Sequence, residues 1–317
     1  DRYASRWMGC GIARVVRVPP APESDGIRTS TRRRLLLSVG AVLVALGIGE
    51  VALRALEPRP FAARRTEYRF FSLDVGGTQV RVFEPGGAGG DAWEGDPFGT
   101  LGEGAQLSVD LNAAGLRGGL PSPERPRVLF VGDSFTFGEG VADGHTFVEL
   151  LGARPDAIGG VVNAGIPGYG TAEQALRLPA WLDGFAPRAV VLVFCPNDPI
   201  PLEDSLARGD RLMQSASEPS SGLRLLRLLT PRSRDLDSEA WYRSYYDGDR
   251  RLAWDRTLRH IRSMNDLATR RGAAFGVVFF PLMYDLDGPA FRDVHALVDD
   301  ALRQNGIPVL DLLPAFR

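Results

Sequence analysis

The sequence predicts an α/β fold in which a parallel β-sheet lies between two layers of helices, a three-layer α/β/α architecture. From Arg127 to the end of the chain, short runs of β-branched and aromatic residues alternate with longer amphipathic segments, a pattern typical of strand–helix–strand units. The runs carry few polar residues, as expected for strands whose two faces are both covered. The clearest of them is Ala189-Val-Val-Leu-Val-Phe194, which ends at a Cys-Pro-Asn-Asp turn.

The composition narrows the class of function. The chain has 317 residues, enough for a sizeable core, and a formal net charge of -2 that gives no reason to expect nucleic-acid binding. Its two cysteines, Cys10 and Cys195, lie far apart, so a disulfide framework is not supported, and Cys195 is expected to be a small apolar residue. Neither a Walker-type loop nor a Gly-x-Gly-x-x-Gly between a strand and a helix occurs, so we predict no nucleotide site. No organic cofactor and no metal is predicted either.

The N-terminal part of the chain predicts a membrane anchor over residues 32–57. Residues 1–31 have no periodicity and are expected to be disordered. Three arginines then precede the uncharged run Leu35–Gly49, and apolar character continues to Leu56, so residues 35–56 are long enough to span a bilayer. The arginines favour an N-terminus that stays in the cytoplasm. A cleaved signal peptide and a buried soluble helix are the alternatives.

A small β-rich arm is expected over residues 66–120. Polar and apolar residues alternate at Tyr68–Leu73 and Thr78–Phe83, and glycine-rich breaks follow, which indicates short antiparallel strands. A Pro-rich linker then leads to the main domain, expected over residues 126–317.

The main domain alternates strands and helices in chain order. The expected strands are Arg127–Val131, Gly160–Asn163, Ala189–Phe194, Ala274–Phe280 and Ile307–Leu310. The expected helices lie near Phe147–Leu151, Ala172–Leu182, Trp254–Ala268 and Phe291–Leu302. Thr171 is expected to cap the second helix. Residues 200–250 are polar and irregular and predict an insertion of the kind that shapes a substrate pocket. Its aromatic residues pack against the domain or bind a sugar or acyl group: Trp241, Tyr242, Tyr245 and Tyr246.

Gly132-Asp133-Ser134 follows the first strand of this domain. Glycine lets the backbone turn sharply, and Ser134 then lies at the carboxyl edge of the sheet. In open α/β folds, ligand-binding and active sites lie at this edge. A serine there acts as a nucleophile if a base takes its proton and fixed N–H groups receive the oxyanion. Such a tripeptide alone is usually a simple turn. Whether Ser134 is a nucleophile therefore depends on the loops that lie beside it.

Two further loops supply that context. Asn163-Ala-Gly-Ile-Pro-Gly168 follows the second strand, and Asn197-Asp198 follows the third. Since parallel strands end at one edge, the three loops are expected to meet there. A glycine N–H, the Asn197 side-chain amide and the Ser134 N–H are candidate donors to an oxyanion. The arrangement predicts acyl transfer through Ser134.

These blocks resemble the SGNH, or GDSL-type, hydrolase superfamily over about residues 108–317. The similar segments are Val131–Gly138 for the first block, Asn163–Gly168 for the second and Asn197-Asp198 for the third. The preceding Asn112–Arg117 resembles the lead of membrane-anchored bacterial members.

The resemblance implies a flavodoxin-like sheet of SGNH type, with Ser134 as the nucleophile. It also implies that Gly168 and Asn197 complete the oxyanion hole, with Gly165 as the alternative glycine. Asp133 is expected to shape the turn.

One departure from the family concerns its last block, Asp-x-x-His, which is missing after the final strand. That block supplies the general base and the carboxylate that orients it, so the triad Asp and His are not in this chain. His145, His260 and His295 lie at other points of the fold and are expected to be surface or satisfied histidines. We therefore expect the sequence to stop before this block and the chain to be a weak catalyst.

The sequence thus predicts a serine ester hydrolase, held in the cytoplasmic membrane with its catalytic domain outside. Its partners would be the bilayer and a small-molecule, lipid or glycan ester. An O-acyltransferase on cell-surface glycans would use the same serine. A catalytically inactive, membrane-tethered binding protein is the alternative from another class.

Overall fold

The computed structural model describes residues 31–56, 62–66, 68–94, 106–122, 127–154, 159–201, 204, 239–247, 250–283, 286 and 291–317. The chain divides into two units, one ending at Leu56 and the other beginning at Glu57. The disorder expected for residues 1–31 concerns positions that, apart from Thr31, lie outside the described residues, as does most of the insertion predicted at 200–250.

The first unit contains helix α1, Thr31–Leu56. Large apolar side chains along it are exposed, among them Leu36, Leu43 and Ile48. Within the described part of the chain, α1 is the one helix long and apolar enough to cross a membrane. Because signal sequences near an N-terminus share this composition, the helix fits both a membrane anchor and a signal sequence.

Five short strands open the second unit and form two small antiparallel sheets. They are β1 Ala62–Thr66, β2 Phe70–Val75, β3 Thr78–Phe83, β4 Ala88–Glu94 and β5 Gln106–Asp110. Strands β2 and β3 pair as a hairpin, and β4 pairs with both β1 and β5. Gly76 and Gly77 form the hairpin turn with φ values of 63° and 86°, which glycine adopts without a steric cost. The predicted antiparallel strands of the β arm are confirmed.

The rest of the second unit is built around a five-stranded parallel sheet. Its strands are β6 Arg127–Gly132, β7 Gly160–Gly165, β8 Ala189–Phe194, β9 Ala274–Phe279 and β10 Val309–Asp311. They lie in the order β10-β9-β8-β6-β7 and are all parallel. Among the helices between them are α2 Ser134–Phe137, α3 Phe147–Ala153, α4 Thr171–Phe185, α5 Arg251–Arg270 and α6 Arg292–Gln304. The predicted parallel α/β sheet is confirmed.

Helices cover both faces of this sheet. On one face α4, α5 and α6 bury Leu178, Ile261 and Val298 in the main core. On the other face α3 packs Val148 against Phe130 of β6. Burying each of these side chains stabilises the fold by roughly 1.5–3 kcal/mol. The layers therefore fix the strand ends, and with them the loops at the carboxyl edge.

The start of α4 differs from the prediction. Thr171 is the first helical residue, and the N-cap is Gly170, whose N–H donates to the Glu173 carboxylate at 3.0 Å. The Thr171 N–H instead donates to the Asp198 carbonyl at 3.2 Å. The predicted Thr171 cap is thus wrong, because this residue connects the second loop to the third.

Candidate functional site

Ser134 lies at the carboxyl edge of β6, where the strand turns into the one-turn helix α2. The Asp133 carboxylate caps this helix by accepting from the Phe135 N–H at 2.9 Å. Gly138 ends it in the left-handed conformation, with φ of 80°. Ser134 itself is half-buried, so the residue is partly accessible where the strand turns into the helix.

Two glycines let α2 lie directly against the strand ends. A Cβ on Gly165 would be 2.7 Å from the Thr136 carbonyl carbon and 2.8 Å from the Thr136 Cβ. A Cβ on Gly132 would be 2.9 Å from that same Thr136 Cβ. Folded proteins do not accommodate such distances without a shift. Gly132 and Gly165 therefore act as spacers between the sheet and the serine helix.

The second loop is bonded to that helix through Asn163. Its Nδ2 donates to the Thr136 carbonyl at 2.8 Å, and its Oδ1 accepts from the Gly165 N–H at 3.0 Å. The Ile166 N–H donates to the Gly132 carbonyl at 3.1 Å. These bonds hold the first two loops together at the sheet edge.

Gly168, further along the second loop, has a different environment from Gly165. It is exposed and has a φ of 82°. The atom that an added Cβ would meet is Nη2 of Arg81, at 2.9 Å. Among the described residues no acceptor is bonded to the Gly168 N–H, whereas the Gly165 N–H is bonded to Asn163. The two glycines that the sequence left as alternatives are thus distinguished by the hydrogen bonding of their amides.

The third loop brings a side-chain amide to the serine loop. Asn197 Nδ2 donates to Asp133 Oδ2 at 2.8 Å. The loop is fixed by Asp198, whose carboxylate accepts from the Cys195 N–H at 2.7 Å and from Gln174 Nε2 at 3.0 Å. The structure therefore brings Asn197 next to the residue that precedes Ser134.

One of the aromatic residues predicted in the insertion, Tyr246, is bonded to this loop. Tyr246 is buried, and its hydroxyl donates to the Pro196 carbonyl at 3.0 Å. The Tyr245 hydroxyl, on an equally buried residue, donates to Asp204 at 2.9 Å. Of the two roles considered for this cluster, both tyrosines have the packing role.

Two buried carboxyl groups in the loops of the site, Asp133 and Asp198, have raised pKa values. Burial raises the pKa of Asp133 to about 6, although the hydrogen bond from Asn197 opposes that shift. Burial also raises the pKa of Asp198, and the neighbouring charge of Asp133 adds to the effect. Burial likewise raises the pKa of the Cys195 thiol, which suits an unreactive apolar residue.

The histidines lie apart from this cluster. His295 Nδ1 is 2.8 Å from Asp311 Oδ1, and its ring stacks on Phe279 with centroids 3.9 Å apart. His145 is exposed and pairs with the Asp143 carbonyl at 3.1 Å, and His260 lies on α5. Within the described residues no hydrogen bond joins any histidine to a serine hydroxyl at this edge. No group of three or more metal-ligating side chains occurs in the described ranges either.

Arg117 is a supporting residue that the sequence analysis did not assign. Its guanidinium is fully buried and donates to the carbonyls of Phe137 and Gly138, at the end of α2, and to the Asp143 carboxylate at 2.9 Å. It also donates to the Val141 carbonyl. A single side chain thus fixes the loop that follows the serine helix. The sequence marks Arg117 only as the last residue of the Asn112–Arg117 segment, which resembles a segment of membrane-anchored family members.

Solved structures resemble this chain at low sequence identity, while none of the curated proteins matches it. TesA is 21% identical over 58% of this chain and 76% of that one, with a TM-score of 0.35. AlinE4, an SGNH-hydrolase family esterase, is 15% identical over 58% and 75%, with a TM-score of 0.34. The psychrotrophic esterase EstA from Pseudoalteromonas sp. is 13% identical over 58% and 76%, with a TM-score of 0.36.

A family profile gives the stronger comparison. The profile of the GDSL-like Lipase/Acylhydrolase family matches residues 130–317, more than half of the chain. The match runs from β6 to β10 and includes all three loops of the site. A match of that extent, over the sheet and every loop described above, shows that this chain belongs to the GDSL-like lipase/acylhydrolase family.

Proposed function

We propose that this chain is an ester hydrolase that forms an acyl-enzyme on Ser134. The observation that carries the proposal is the 2.8 Å hydrogen bond between Asn197 Nδ2 and Asp133 Oδ2. It holds a carboxamide beside the serine loop and uses one of its two N–H donors. The second N–H remains to donate to a substrate oxygen.

The Ser134 N–H and the Gly168 N–H supply the other two donors of the proposed oxyanion hole. Gly168 is favoured over Gly165 because its N–H has no acceptor among the described residues, while Gly165 donates to Asn163. A missing donor of this kind costs about 3–4 kcal/mol of transition-state stabilisation.

In the proposed reaction, Ser134 Oγ attacks the ester carbonyl carbon and the carbonyl oxygen takes up negative charge between the donors. Collapse of the tetrahedral intermediate expels the alcohol and leaves an acyl group on Ser134. Water then attacks that acyl group and releases the acid. Because no described hydrogen bond links an imidazole to Ser134, the serine proton passes to water, and we expect slow turnover. An oxyanion hole and binding alone leave a residual catalysis of roughly 10³–10⁴-fold over water.

Covalent labelling with a fluorophosphonate probe tests this proposal. We expect the purified chain to be labelled slowly, and the Ser134→Ala variant to lose the label. Ser72, an exposed serine on β2, provides the matched control, since Ser72→Ala should be labelled like the wild type. Equal labelling of Ser134→Ala and wild type would overturn the assignment of the nucleophile.

The alternative of a membrane-tethered binding protein is favoured by one observation, the separation of the histidines from Ser134. It predicts that the wild-type chain resists the probe altogether and releases no p-nitrophenol from p-nitrophenyl acetate above the rate of Ser134→Ala. A Ser134-dependent rate above that background would exclude it.

We further propose that α1 anchors the protein in the cytoplasmic membrane, with the catalytic unit on the outer side. The exposed apolar side chains of α1 and the three arginines at its N-terminal end support this orientation. In bacterial cells, the full chain should stay in membranes washed with carbonate, and protease added to spheroplasts should cleave the catalytic unit. A soluble product whose N-terminus lies beyond Leu56 would show instead that α1 is a cleaved signal.

A further inference from the structure

Arg81, on the β2–β3 hairpin, extends to the glycine loop of the site. Its Nη2 donates to the Pro167 carbonyl at 3.2 Å and lies 2.9 Å from the position of a Cβ on Gly168. The guanidinium lies over the Phe70 ring, 4.8 Å from the centroid. The Tyr169 hydroxyl donates to the Arg81 carbonyl, so the backbone of Arg81 is bonded to the same loop. The hairpin thus places a positive charge at the open side of Gly168.

The distance between this charge and a bound ester follows from covalent geometry. Adding the Cα–Cβ and N–Cα bond lengths to the 2.9 Å gap puts Nη2 within about 6 Å of the Gly168 nitrogen. An ester oxygen held at about 2.9 Å from that nitrogen is then within about 9 Å of Nη2. A charged group that lies a few bonds from the scissile carbonyl of the ester can therefore reach Nη2 of Arg81.

Among the described residues no carboxylate neutralises the charge of Arg81. Its side chain forms no ion pair there, and its hydrogen bond goes to a neutral carbonyl. Arg69 and Arg117, by contrast, pair with Glu84 and Asp143. Arg177 and Glu173, of opposite charge, also lie close to Tyr169. Arg81 is half-buried, and its planar guanidinium retains donors suited to a carboxylate or phosphate.

We propose that Arg81 forms an anion subsite beside Gly168, which selects esters that carry a carboxylate or phosphate close to the scissile carbonyl. The proposal rests on the proposed function, because it takes Gly168 as a donor to the ester oxygen. The anionic group belongs to the acyl side or to the alcohol side of the ester, and the probes below separate the two.

Binding to the full chain carrying Ser134→Ala tests the subsite without turnover. Monophenyl succinate carries its charge on the acyl side, and 4-acetoxybenzoate carries it on the alcohol side. The methyl ester of each is the matched neutral ligand. Titration calorimetry or ligand-observed NMR gives the ratio of dissociation constants for each pair.

We expect at least one anion to bind tenfold or more tightly than its neutral methyl ester. Adding Arg81→Met, which removes the charge and keeps an unbranched side chain beside Phe70, should bring the ratio close to one, and Arg81→Lys should restore part of it. Arg69→Met, which removes an exposed charge from the same arm, should leave the ratio unchanged.

Equal binding within both pairs, a ratio that survives Arg81→Met, or no binding of any ester would each overturn the subsite. Fluorophosphonate labelling of Ser134 in the wild-type chain tests the proposed function separately. A failure of the subsite can therefore be told apart from a failure of the proposed function.

Discussion

Gly165 faces helix α2 so closely that there is no room for a single added methyl group. In Gly165→Ala the new Cβ would meet the Thr136 carbonyl carbon at 2.7 Å, where ordinary contacts begin at 3.4 Å. The Phe137 nitrogen would lie closer still, so the helix backbone must move by more than the 0.7 Å that separates 2.7 Å from 3.4 Å. The Asn163 Nδ2 bond to the Thr136 carbonyl at 2.8 Å opposes that movement.

Overpacking against a backbone that cannot easily move costs about 1–3 kcal/mol of unfolding free energy. For a unit of this size each kcal/mol lowers Tm by about 2–4 °C. We therefore expect Gly165→Ala to lower Tm by roughly 2–12 °C. Urea unfolding, followed by the fluorescence of the buried Trp181 and Trp254, measures the corresponding change in free energy.

Two other glycines serve as controls for this prediction. Gly184, near the end of α4, has nothing within 4 Å of an added Cβ, and Gly184→Ala should stabilise the chain by about 0.5–1 kcal/mol. Gly168→Ala forces alanine to a φ of 82°, which should lower the unfolding free energy by about 1–2 kcal/mol. It should also lower the rate at which the probe labels Ser134. If Gly165→Ala unfolds within about 0.5 kcal/mol of wild type, the interpretation of Gly165 as a spacer is refuted.

Three further predictions concern the groups around the site. Arg117→Met should lower the unfolding free energy by about 2–6 kcal/mol, because it leaves two buried carbonyls unpaired at about 1–3 kcal/mol each. Asp143→Asn should lower it by about 3 kcal/mol, because it leaves the fully buried guanidinium of Arg117 without its carboxylate; urea titrations compare the two. Asn197→Ala should reduce Ser134-dependent ester hydrolysis about 10²–10³-fold with little change in KM, by loss of one oxyanion donor. Burial lowers the pKa of His295, so the unfolded chain takes up the proton more readily and stability should fall as pH drops below about 6.5. Unfolding at pH 8 and pH 5 should show that His295→Gln reduces this loss and that exposed His145→Gln does not.

Features that repeat along the chain could be predicted from the sequence. The β-branched run Ala189–Phe194 and the amphipathic helix Arg251–Arg270 carry a period that indicates burial. The three loops could be placed at one edge because parallel strands all end on the same side of the sheet. Local periodicity and chain order therefore accounted for the sheet and for the placement of the site.

Single polar residues that act over long sequence distances could not be predicted. Arg81 contacts Pro167, 86 residues away, and Arg117 bonds to Asp143, 26 residues away. No periodic pattern marks such a residue, because its partner is defined only once the hairpin and the loops have packed. Asp133 is expected to shape the turn, and its carboxylate does cap α2. Its bond to Asn197, 64 residues away, could not be predicted for the same reason.

The His295–Asp311 pair shows why a histidine bonded to a carboxylate is not sufficient evidence for a catalytic base. Asp311 is level with Phe279 of β9, and β9 and β8 both lie between β10 and β6. At about 4.8 Å per strand, three spacings separate β10 from the serine strand by about 14 Å. The imidazole stacks on Phe279, whereas Ser134 begins a helix that packs against Gly165 of β7. The pair therefore stabilises α6 against β10, and it does not supply a base for Ser134.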